Sequence, residues 1–294
     1  MMGMLRHFLS VLLGVLTFLV LIKAQDQSGF ISIDCGLPEN LNYSDKITTI
    51  NYISDANFIN TGLMKSPLNV SRYTFYEIIY TPSIDYIQPC LVNTGNGTPF
   101  ISAIELRPLN NTIYVTDSAK SVLSLLTRLD IGSITNLQYR YKDDVYDRIW
   151  LPFQLIDTKP LNTSNGLLIQ SIYSPPAIVM STAATPVNVS APIIFHWDAD
   201  NVTDQYVIYM HFNEVEELTK SEARAFNITV NGLFFYGPMI PGYQVADTIL
   251  SPTPLTGAER YIISLFKTEN STLPPILNAV EIYKLKDFSK SETA

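Results

Sequence analysis

The 294-residue sequence contains few of the residue types that bind metals or build disulfide frameworks. It has two cysteines, three histidines and two tryptophans. One histidine, His7, lies in an N-terminal apolar segment, so the rest of the chain cannot supply a three-histidine zinc site. The sequence also has no Cys-x-x-Cys pair. We therefore expect neither a metal site nor a cofactor.

Signatures of common catalytic sites are missing as well. There is no Gly-x-Ser-x-Gly elbow, glycine-rich phosphate loop or kinase motif. The acidic cluster at 198–204 lacks the glycine and the third ligand of a calcium loop. A second cluster, at 214–217, is more typical of a solvated charge run than of a glycosidase pair. We expect that the chain is not an enzyme, and a glycosidase is the least favoured alternative.

The chain has fewer basic than acidic residues, which gives it a net charge of −8. This argues against nucleic acid or an anionic membrane as a partner. The one long apolar run, residues 8–22, is shorter than the roughly 20 residues of a membrane-spanning helix. With Lys23-Ala24-Gln25 after it, the run fits a secretory signal. We predict a signal peptide at 1–24 and an extracellular or cell-surface location, with an uncleaved membrane anchor as the alternative.

Acceptor sequences for N-glycosylation are frequent and support export. Each is an asparagine followed two residues later by serine or threonine, and in a secreted chain such asparagines lie on the surface. The predicted glycosylation sites are Asn42, Asn69, Asn96, Asn110, Asn162, Asn188, Asn201, Asn227 and Asn270.

The two cysteines are Cys35 and Cys90. A bridge between them would close a loop of about 55 residues and stabilise an exported protein by about 4 kcal/mol. The sequence leaves the bridged and free states open, because it does not give the distance between the Cα atoms.

Two segments of the chain repeat. The pattern Thr-x-Asn-x-Thr, followed by proline and a strand-like Ala-[Ile/Val]-Glu-[Ile/Leu], occurs at 94–106 and again at 268–282. An opening Asp-x-Gly and a later Tyr-x-x-Asp precede each copy in the same order. This order predicts two tandem modules, of which the first is about half as long as the second.

Composition predicts an all-β fold. Short runs rich in Ile, Val, Tyr, Phe and Thr alternate with turn residues. Residues 205–212 are apolar on both faces apart from His211, which indicates a central strand. Asn231-Gly232 indicates a hairpin. The best helix candidate is 119–128, and the strand interpretation competes there.

The Tyr-x-x-Asp segments are the best candidates for ligand contact. An aromatic ring stacks on a sugar, and an ionised carboxylate accepts hydrogen bonds from its hydroxyl groups. A competing interpretation is that the carboxylates pair with nearby arginines, such as Arg140 or Arg148, and simply hold the loop. The predicted ligand-binding residues are Tyr52, Asp55, Tyr141, Asp144 and Tyr146.

Several motifs together resemble the malectin-like ectodomain of plant leucine-rich-repeat receptor-like kinases. The matching segments are 29–36, 52–58, 143–150, 209–217 and the closing repeat. The resemblance covers nearly all of the chain after the predicted signal peptide. It implies two tandem malectin-type β-sandwiches on the cell surface, related to an animal lectin that binds a glucose disaccharide.

The resemblance also shows what this sequence omits. Residues 67–71 run straight on to 73–77, where the family carries further strands and a possible partner for Cys35. Leucine-rich repeats, a membrane helix and a kinase are not present in this sequence. The expected organisation is a signal peptide at 1–24, a shortened first module at 28–118, a second module at 119–286 and a tail at 287–294.

The leading functional hypothesis is a non-catalytic extracellular domain that recognises a carbohydrate or a peptide. It would come from a receptor-kinase ectodomain or a soluble relative. The expected partners are a cell-wall or other glycan, a secreted peptide, or a co-receptor ectodomain, and not nucleic acid. The alternative is a truncated structural product with no ligand.

Overall fold

A computed structural model describes residues 27–57, 75–82, 87, 89, 100–116, 118, 121–166 and 171–287. The predicted signal peptide, Cys90 and the asparagines at 69 and 96 lie outside the described residues, so these predictions stay untested. Within the described residues, no helix combines the length and the apolar character that crossing a bilayer requires.

The described part of the chain is built almost entirely from strands, which confirms the all-β prediction. One helical turn, α1 (Ala177–Met180), and one 3₁₀ turn (Asp55–Asn57) accompany them. The strands are β1 (Ile31–Asp34), β2 (Asn42–Ser44), β3 (Asn51–Ser54), β4 (Ile78–Ile79), β5 (Ala103–Leu106), β6 (Ser121–Ile131), β7 (Leu151–Phe153), β8 (Thr158–Asn162), β9 (Thr182–Pro186), β10 (Ile193–Asp198), β11 (Gln205–Phe212), β12 (Phe226–Val230), β13 (Leu233–Met239), β14 (Asp247–Leu250), β15 (Arg260–Lys267) and β16 (Ala279–Asp287).

The chain divides into two compact units. The described residues of the first unit are 27–57 and 101–108. Its described strands form one sheet in the order β2-β3-β1-β5. Strand β1 runs parallel to β3 and antiparallel to β5. Ile33 is buried, and Ser32 and Asp34 point to the opposite face because side chains alternate along a strand.

The described residues of the second unit are those between 75 and 100 and those from 109 to 287. One of its sheets has the order β10-β15-β12-β13. A larger sheet has the order β14-β11-β16-β6-β4, with β7 also paired to β6. Strands β8 and β9 form a separate ribbon. Strand β11 lies between β14 and β16, so the prediction of a central strand at 205–212 is confirmed.

A single hydrophobic core joins the two large sheets of the second unit. It takes the alternate residues Ile208, Met210 and Phe212 from β11, and residues of β10, β12, β15 and β16 pack against them. This arrangement is a β-sandwich. At the tip of the β12–β13 hairpin, Asn231 and Gly232 both have positive φ angles, as the predicted turn requires.

The opposite face of the larger sheet is also buried. It carries Tyr209 and His211 of β11 and Glu281 and Tyr283 of β16, all of which are nearly inaccessible. Tyr114 and Tyr173, from outside the sheet, pack against this face. The larger sheet is therefore enclosed on both sides, and its second face contains polar groups.

Two features differ from the simplest sequence interpretation. The helix candidate at 119–128 is strand β6, because its residues pair with β16 from Ser121 to Asp130 and tertiary pairing outweighs a weak helical pattern. Strand β4 and Tyr114 belong to the predicted first module, yet they pack in the second unit. The module boundary at 118 stays a prediction.

Candidate functional site

The predicted binding segment of the second unit forms a closed loop, residues 139–150, which we call the 139–150 loop. A β-bridge between Tyr139 and Trp150 closes its base, with N···O distances of 3.0 and 2.8 Å. Within the loop, the N–H groups of Asp143 and Asp144 donate to the carbonyl of Arg140. The short chain between the bridged residues therefore folds as a tight turn.

Asp144 holds this loop from inside. Its carboxyl group is 0% exposed. Oδ1 accepts the N–H of Tyr146 at 2.8 Å, and Oδ2 accepts Arg148 Nε at 2.9 Å and Trp150 Nε1 at 2.7 Å. A carboxylate with three such donors is fixed in orientation and directed into the protein.

Asp147 makes a second anchor in the same loop. Its carboxylate accepts Arg140 Nε at 2.7 Å and the N–H of Tyr141 at 3.0 Å. The structure thus contains both arginine–carboxylate pairs of the competing interpretation. Tyr141 is 7% exposed, whereas the ring of Tyr146 is half-buried beneath the Arg148 guanidinium.

Arg148 connects the loop to the enclosed face of the larger sheet. Its NH1 group donates to the Tyr114 hydroxyl at 2.7 Å, and its NH2 group donates to the Ser174 carbonyl at 2.8 Å. NH1 also lies 3.8 Å from Glu281 Oε1. One guanidinium therefore joins the loop, two segments outside the sheet and strand β16.

Glu281 is the centre of this polar cluster and is 0% exposed. Oε2 accepts Arg128 Nε at 2.8 Å and the Tyr283 hydroxyl at 2.7 Å. Oε1 accepts the Tyr114 hydroxyl at 2.8 Å and His211 Nε2 at 3.0 Å. We call Glu281 with these partners, Arg148 and Asp144 the buried charge network.

The electrostatics of the network fix its protonation states. Burial alone would raise the pKa of Glu281, but Arg128, the His211 hydrogen bond and Arg148 together hold that pKa well below its ordinary value. Burial lowers the pKa of His211. A neutral His211 carries its proton on Nε2, facing Glu281, and Nδ1 accepts from Thr248 Oγ1 at 2.9 Å.

The network suits positioning better than proton transfer. Glu281 is kept ionised, His211 is kept neutral, and burial raises the pKa of Tyr114 well above its ordinary value. Groups that are each held in one protonation state do not exchange protons near neutral pH. Removing one member would leave a buried charge without its partner, at a large cost in stability. The members of the cluster therefore depend on one another.

A cavity of about 230 Å³ opens beside the network at the edge of β6. Arg128 reaches it and forms a salt bridge with Glu77, whose two oxygens it contacts through NH1 and NH2. The side chains around this cavity are those of Phe75, Glu77, Leu125, Leu126, Thr127, Arg128, Ile149 and Leu151.

The Tyr-x-x-Asp segment of the first unit has different hydrogen-bond partners from that of the second. The Tyr52 hydroxyl donates to Glu105 Oε1, and Asp55 Oδ1 accepts the N–H of Gly36 at 3.1 Å. Tyr52 stacks on Tyr43, whose hydroxyl donates to Asp34. The sequence pattern did not single out Tyr43.

The other acidic clusters form ion pairs. Arg224 contacts Glu214 through Nε at 2.6 Å and Glu216 through NH2 at 2.8 Å. Lys284 contacts both Asp200 and Asp204. These carboxylates have neighbouring cations, as structural charge pairs do.

Most sequon asparagines in the described residues lie at the surface. Asn227 is half-buried, and the exposed ones are Asn42, Asn110, Asn162, Asn188, Asn201 and Asn270. Cys35 is also half-buried, and its bridge to Cys90 stays a prediction.

Sequence reasoning missed most of the buried charge network. Glu281, Arg128 and His211 occupy strand positions between apolar neighbours, in segments too hydrophobic for solvent-exposed strands. A charged residue in such a segment is a signal for a paired buried group. That signal would have indicated that paired buried charges exist, but it would not have shown which residues contact one another.

The chain is similar in sequence to a known protein family. The sequence profile described as "Malectin-like domain" matches residues 33–67 and 64–285. The Arabidopsis thaliana leucine-rich-repeat receptor-like serine/threonine-protein kinase IOS1 is 34% identical over 357 aligned residues. That alignment covers 97% of this chain and 40% of the relative, so the chain spans well under half of that protein.

The alignment also shows that this chain and the relative differ in length within the matched region. It extends over 357 residues although the chain has 294, so the relative carries additional residues inside the matched region. The profile match is divided at residues 64–67. The shortened first module stays a prediction.

Solved structures show the same fold. The crystal structure of the plant receptor-like kinase FER superposes with a TM-score of 0.60 at 15% identity, over 87% of this chain and 96% of that one. The ANX2 ectodomain from Arabidopsis thaliana gives a TM-score of 0.57 at 15% identity, over 87% and 97%.

Proposed function

Since the chain belongs to the malectin-like family, we propose that it is a non-catalytic extracellular domain that recognises a glycan or a secreted peptide. Its origin would be a receptor-kinase ectodomain or a soluble relative, and a co-receptor ectodomain is a further proposed partner. The observation that carries this proposal is the 139–150 loop. A buried charge network fixes the loop, which leaves Tyr146, Lys142 and Val145 at the surface.

A rigid loop on a sandwich scaffold is suited to binding because little conformational entropy is lost on association. Of the three residues predicted to bind a ligand in this unit, Tyr141, Asp144 and Tyr146, the proposed direct contact is Tyr146. Tyr146 offers a partly exposed ring, and Arg148 holds that ring from one side. Asp144 and Tyr141 are buried, so we assign them the role of positioning Tyr146. Tyr52 and Asp55 are the proposed counterparts in the first unit.

The test uses the full chain expressed in a eukaryotic secretory host. We expect a product that starts near Gln25 and loses mass on deglycosylation. An unglycosylated product retaining Met1 would contradict the extracellular assignment.

Binding is then screened on a glycan array and on a panel of secreted peptides. Tyr146→Ala should raise the Kd of any ligand bound at the loop about 5- to 10-fold, because ring stacking contributes about 1 kcal/mol. Tyr243→Ala, at another partly exposed tyrosine of the same unit, is the matched control. Failure to bind either panel would favour the structural alternative with no ligand.

A further inference from the structure

The smaller sheet of the β-sandwich in the second unit has an apolar face that points away from the core. This sheet has the order β10-β15-β12-β13, and residues such as Phe226 and Ile228 of β12 point inward. Because side chains alternate along a strand, the residues between the inward ones point outward. We call the outward set the outer face, and its members are Ile194, His196, Asn227, Thr229, Phe234, Ile262, Ser264 and Phe266.

The large apolar side chains of the outer face are open to solvent. Their exposed fractions are 52% for Ile194, 39% for Ile262, 44% for Phe266 and 68% for Phe234. Inward residues of β15, such as Ile263 and Leu265, are 0% exposed. Ser264 is buried because it is small and lies between Ile194 and Thr229 on the neighbouring strands. A solvated face of an antiparallel sheet is normally polar, so an apolar one marks a surface that something covers.

The larger sheet of the same sandwich has its second face covered by protein, because Tyr114 and Tyr173 pack against it. The outer face of the smaller sheet carries a glycosylation sequence instead. Asn227 and Thr229 are the first and third residues of Asn-Ile-Thr, and both belong to the outer face. Asn227 lies directly opposite Phe266 on β15. Such cross-strand partners have Cβ atoms about 4.5–5.5 Å apart, so a sugar on Asn227 begins beside the Phe266 ring.

The side chain of Asn227 has room beside β13 because residue 237 is glycine. A Cβ at Gly237 would lie 2.3 Å from Asn227 Oδ1 and 2.9 Å from its Cα, so a larger residue would displace the asparagine. Oδ1 is the amide atom nearest to Gly237, which leaves Nδ2 directed away from β13. Nδ2 is the atom that a glycan joins. In that reaction Nδ2 loses one proton and bonds to the anomeric carbon of a lipid-linked oligosaccharide, and the lipid diphosphate leaves.

We propose that an N-linked glycan on Asn227 lies along the outer face, with its first sugar stacked on Phe266, and covers the apolar side chains there. Aromatic faces attract the polarised C–H groups of a sugar ring. This inference rests on the extracellular location in the proposed function, because only an exported chain receives such a glycan. It requires no external ligand.

The position of the sequence favours a glycan over a protein partner on this surface. Asn227 lies on β12, between the strands that carry Phe266 and Phe234. A branched glycan attached there would occupy the space that a second protein needs for close contact. The charged pair Asp198 and Arg260 lies at one end of the outer face, where it does not interrupt the apolar surface around Asn227.

Removing the glycan in two independent ways tests the proposal on the full chain secreted from a eukaryotic host. Asn227→Gln removes the acceptor, and Thr229→Ala destroys the sequence that directs glycosylation. Both should raise the fluorescence of the apolar-surface dye anilinonaphthalene sulfonate severalfold. Both should also lower Tm by about 2–4 °C, the shift expected for losing one stacked ring contact in a unit of this size.

Two further variants are matched controls. Thr229→Ser keeps a glycosylation sequence at Asn227 and should behave as wild type. Asn188→Gln removes a predicted glycan from an exposed turn of the same unit and should leave the dye fluorescence unchanged. Mass analysis of glycopeptides establishes which asparagines are occupied in each variant.

Phe266→Ala measures the stacking itself. It should lower Tm by about 2–4 °C more in the glycosylated protein than in the Thr229→Ala background, where no sugar contacts the ring. Phe266→Tyr keeps an aromatic ring and should retain most of the stability that the glycan adds. Equal shifts for Phe266→Ala in the two backgrounds would overturn the stacking.

The remaining outcomes separate this inference from the proposed location. A wild type without any glycan would contradict both. Glycans at other asparagines with Asn227 unoccupied would overturn this inference alone, and so would an occupied Asn227 whose loss changes neither dye fluorescence nor Tm. A dimer in sedimentation velocity that Phe234→Ser converts to a monomer would mean that a second copy covers the outer face. If neither glycan-free variant is secreted, enzymatic trimming of the folded wild type to single sugars replaces them, and dye fluorescence must then rise.

Discussion

The two Tyr-x-x-Asp segments share a sequence pattern and differ in surroundings. In the second unit, Asp144 is fully buried and accepts hydrogen bonds from Tyr146, Arg148 and Trp150. In the first unit, the hydroxyl of the half-buried Tyr52 donates to Glu105, and Asp55 accepts a backbone N–H from Gly36.

The difference shows that one short pattern can serve two physical roles. Where two arginines and a second enclosed sheet face lie nearby, the carboxylate becomes part of a structural network. In the first unit, the tyrosine of the segment is half-buried, its hydroxyl donates to Glu105 and its ring stacks on Tyr43. Stability and recognition should therefore respond separately to substitutions in the two segments.

The largest expected effect comes from Asp144→Asn. The substitution leaves Arg148 buried without its ionised partner, so we expect a loss of about 3–5 kcal/mol in the free energy of unfolding. Asp55→Asn is the matched control and should cost less than about 1 kcal/mol, because an asparagine oxygen still accepts the Gly36 N–H. Urea denaturation of both variants measures the contrast. Similar losses at the two positions would contradict the division of roles.

The next effect concerns the hydroxyl of a buried tyrosine. Tyr114 donates to Glu281 and accepts from Arg148, so Tyr114→Phe should cost about 1.5–3 kcal/mol. Tyr261 is equally buried, but its hydroxyl has no hydrogen-bond partner among the described residues. Tyr261→Phe should therefore be neutral or slightly stabilising. A thermal melt that shows equal shifts for the two variants would argue against a network that stabilises the loop.

A smaller effect depends on pH. Burial lowers the pKa of His211, and a group with a lowered folded pKa contributes stability above its unfolded pKa of about 6.5 and loses it as the pH falls. The stability difference between wild type and His211→Gln should therefore shrink by about 1 kcal/mol from pH 7.5 to 5.5. Denaturant midpoints at the two pH values measure it.

Asp130→Asn is the control with the opposite sign. Burial raises the pKa of Asp130 to about 6. A group with a raised folded pKa contributes stability at low pH and loses it as the pH rises through that value. The advantage of wild type over Asp130→Asn should therefore grow as the pH falls. Parallel trends in the two variants would show that global charge, and not these two groups, sets the pH dependence.

The smallest effect is expected at Tyr43, in the sheet of the first unit. Tyr43→Phe removes an exposed hydrogen bond to Asp34 and should change the free energy of unfolding by less than about 0.5–1 kcal/mol. Urea denaturation beside Asp144→Asn checks it. A loss comparable to that of Asp144→Asn would mean that Tyr43 stabilises the first unit as strongly as the buried network stabilises the second.

Short local sequence patterns predicted part of the fold. The central strand β11 follows from a run that is apolar on both faces, and the β12–β13 hairpin follows from an Asn-Gly turn. Such signals are local, since they depend on residues a few positions apart. The assignment of 119–128 between helix and strand required pairing with β16, more than 150 residues away.

The candidate site also has features that local sequence predicts and features that depend on long-range contacts. The sequence by itself determined the all-β class, the family and the two Tyr-x-x-Asp segments, because each is written in neighbouring residues. Only the tertiary structure decided that Glu281 contacts Arg128 and His211, and that the Tyr43 hydroxyl donates to Asp34 two strands away. Those contacts join residues far apart in the chain, and their energies depend on burial and on the direction of each donor. Neither quantity exists until the sheets have formed.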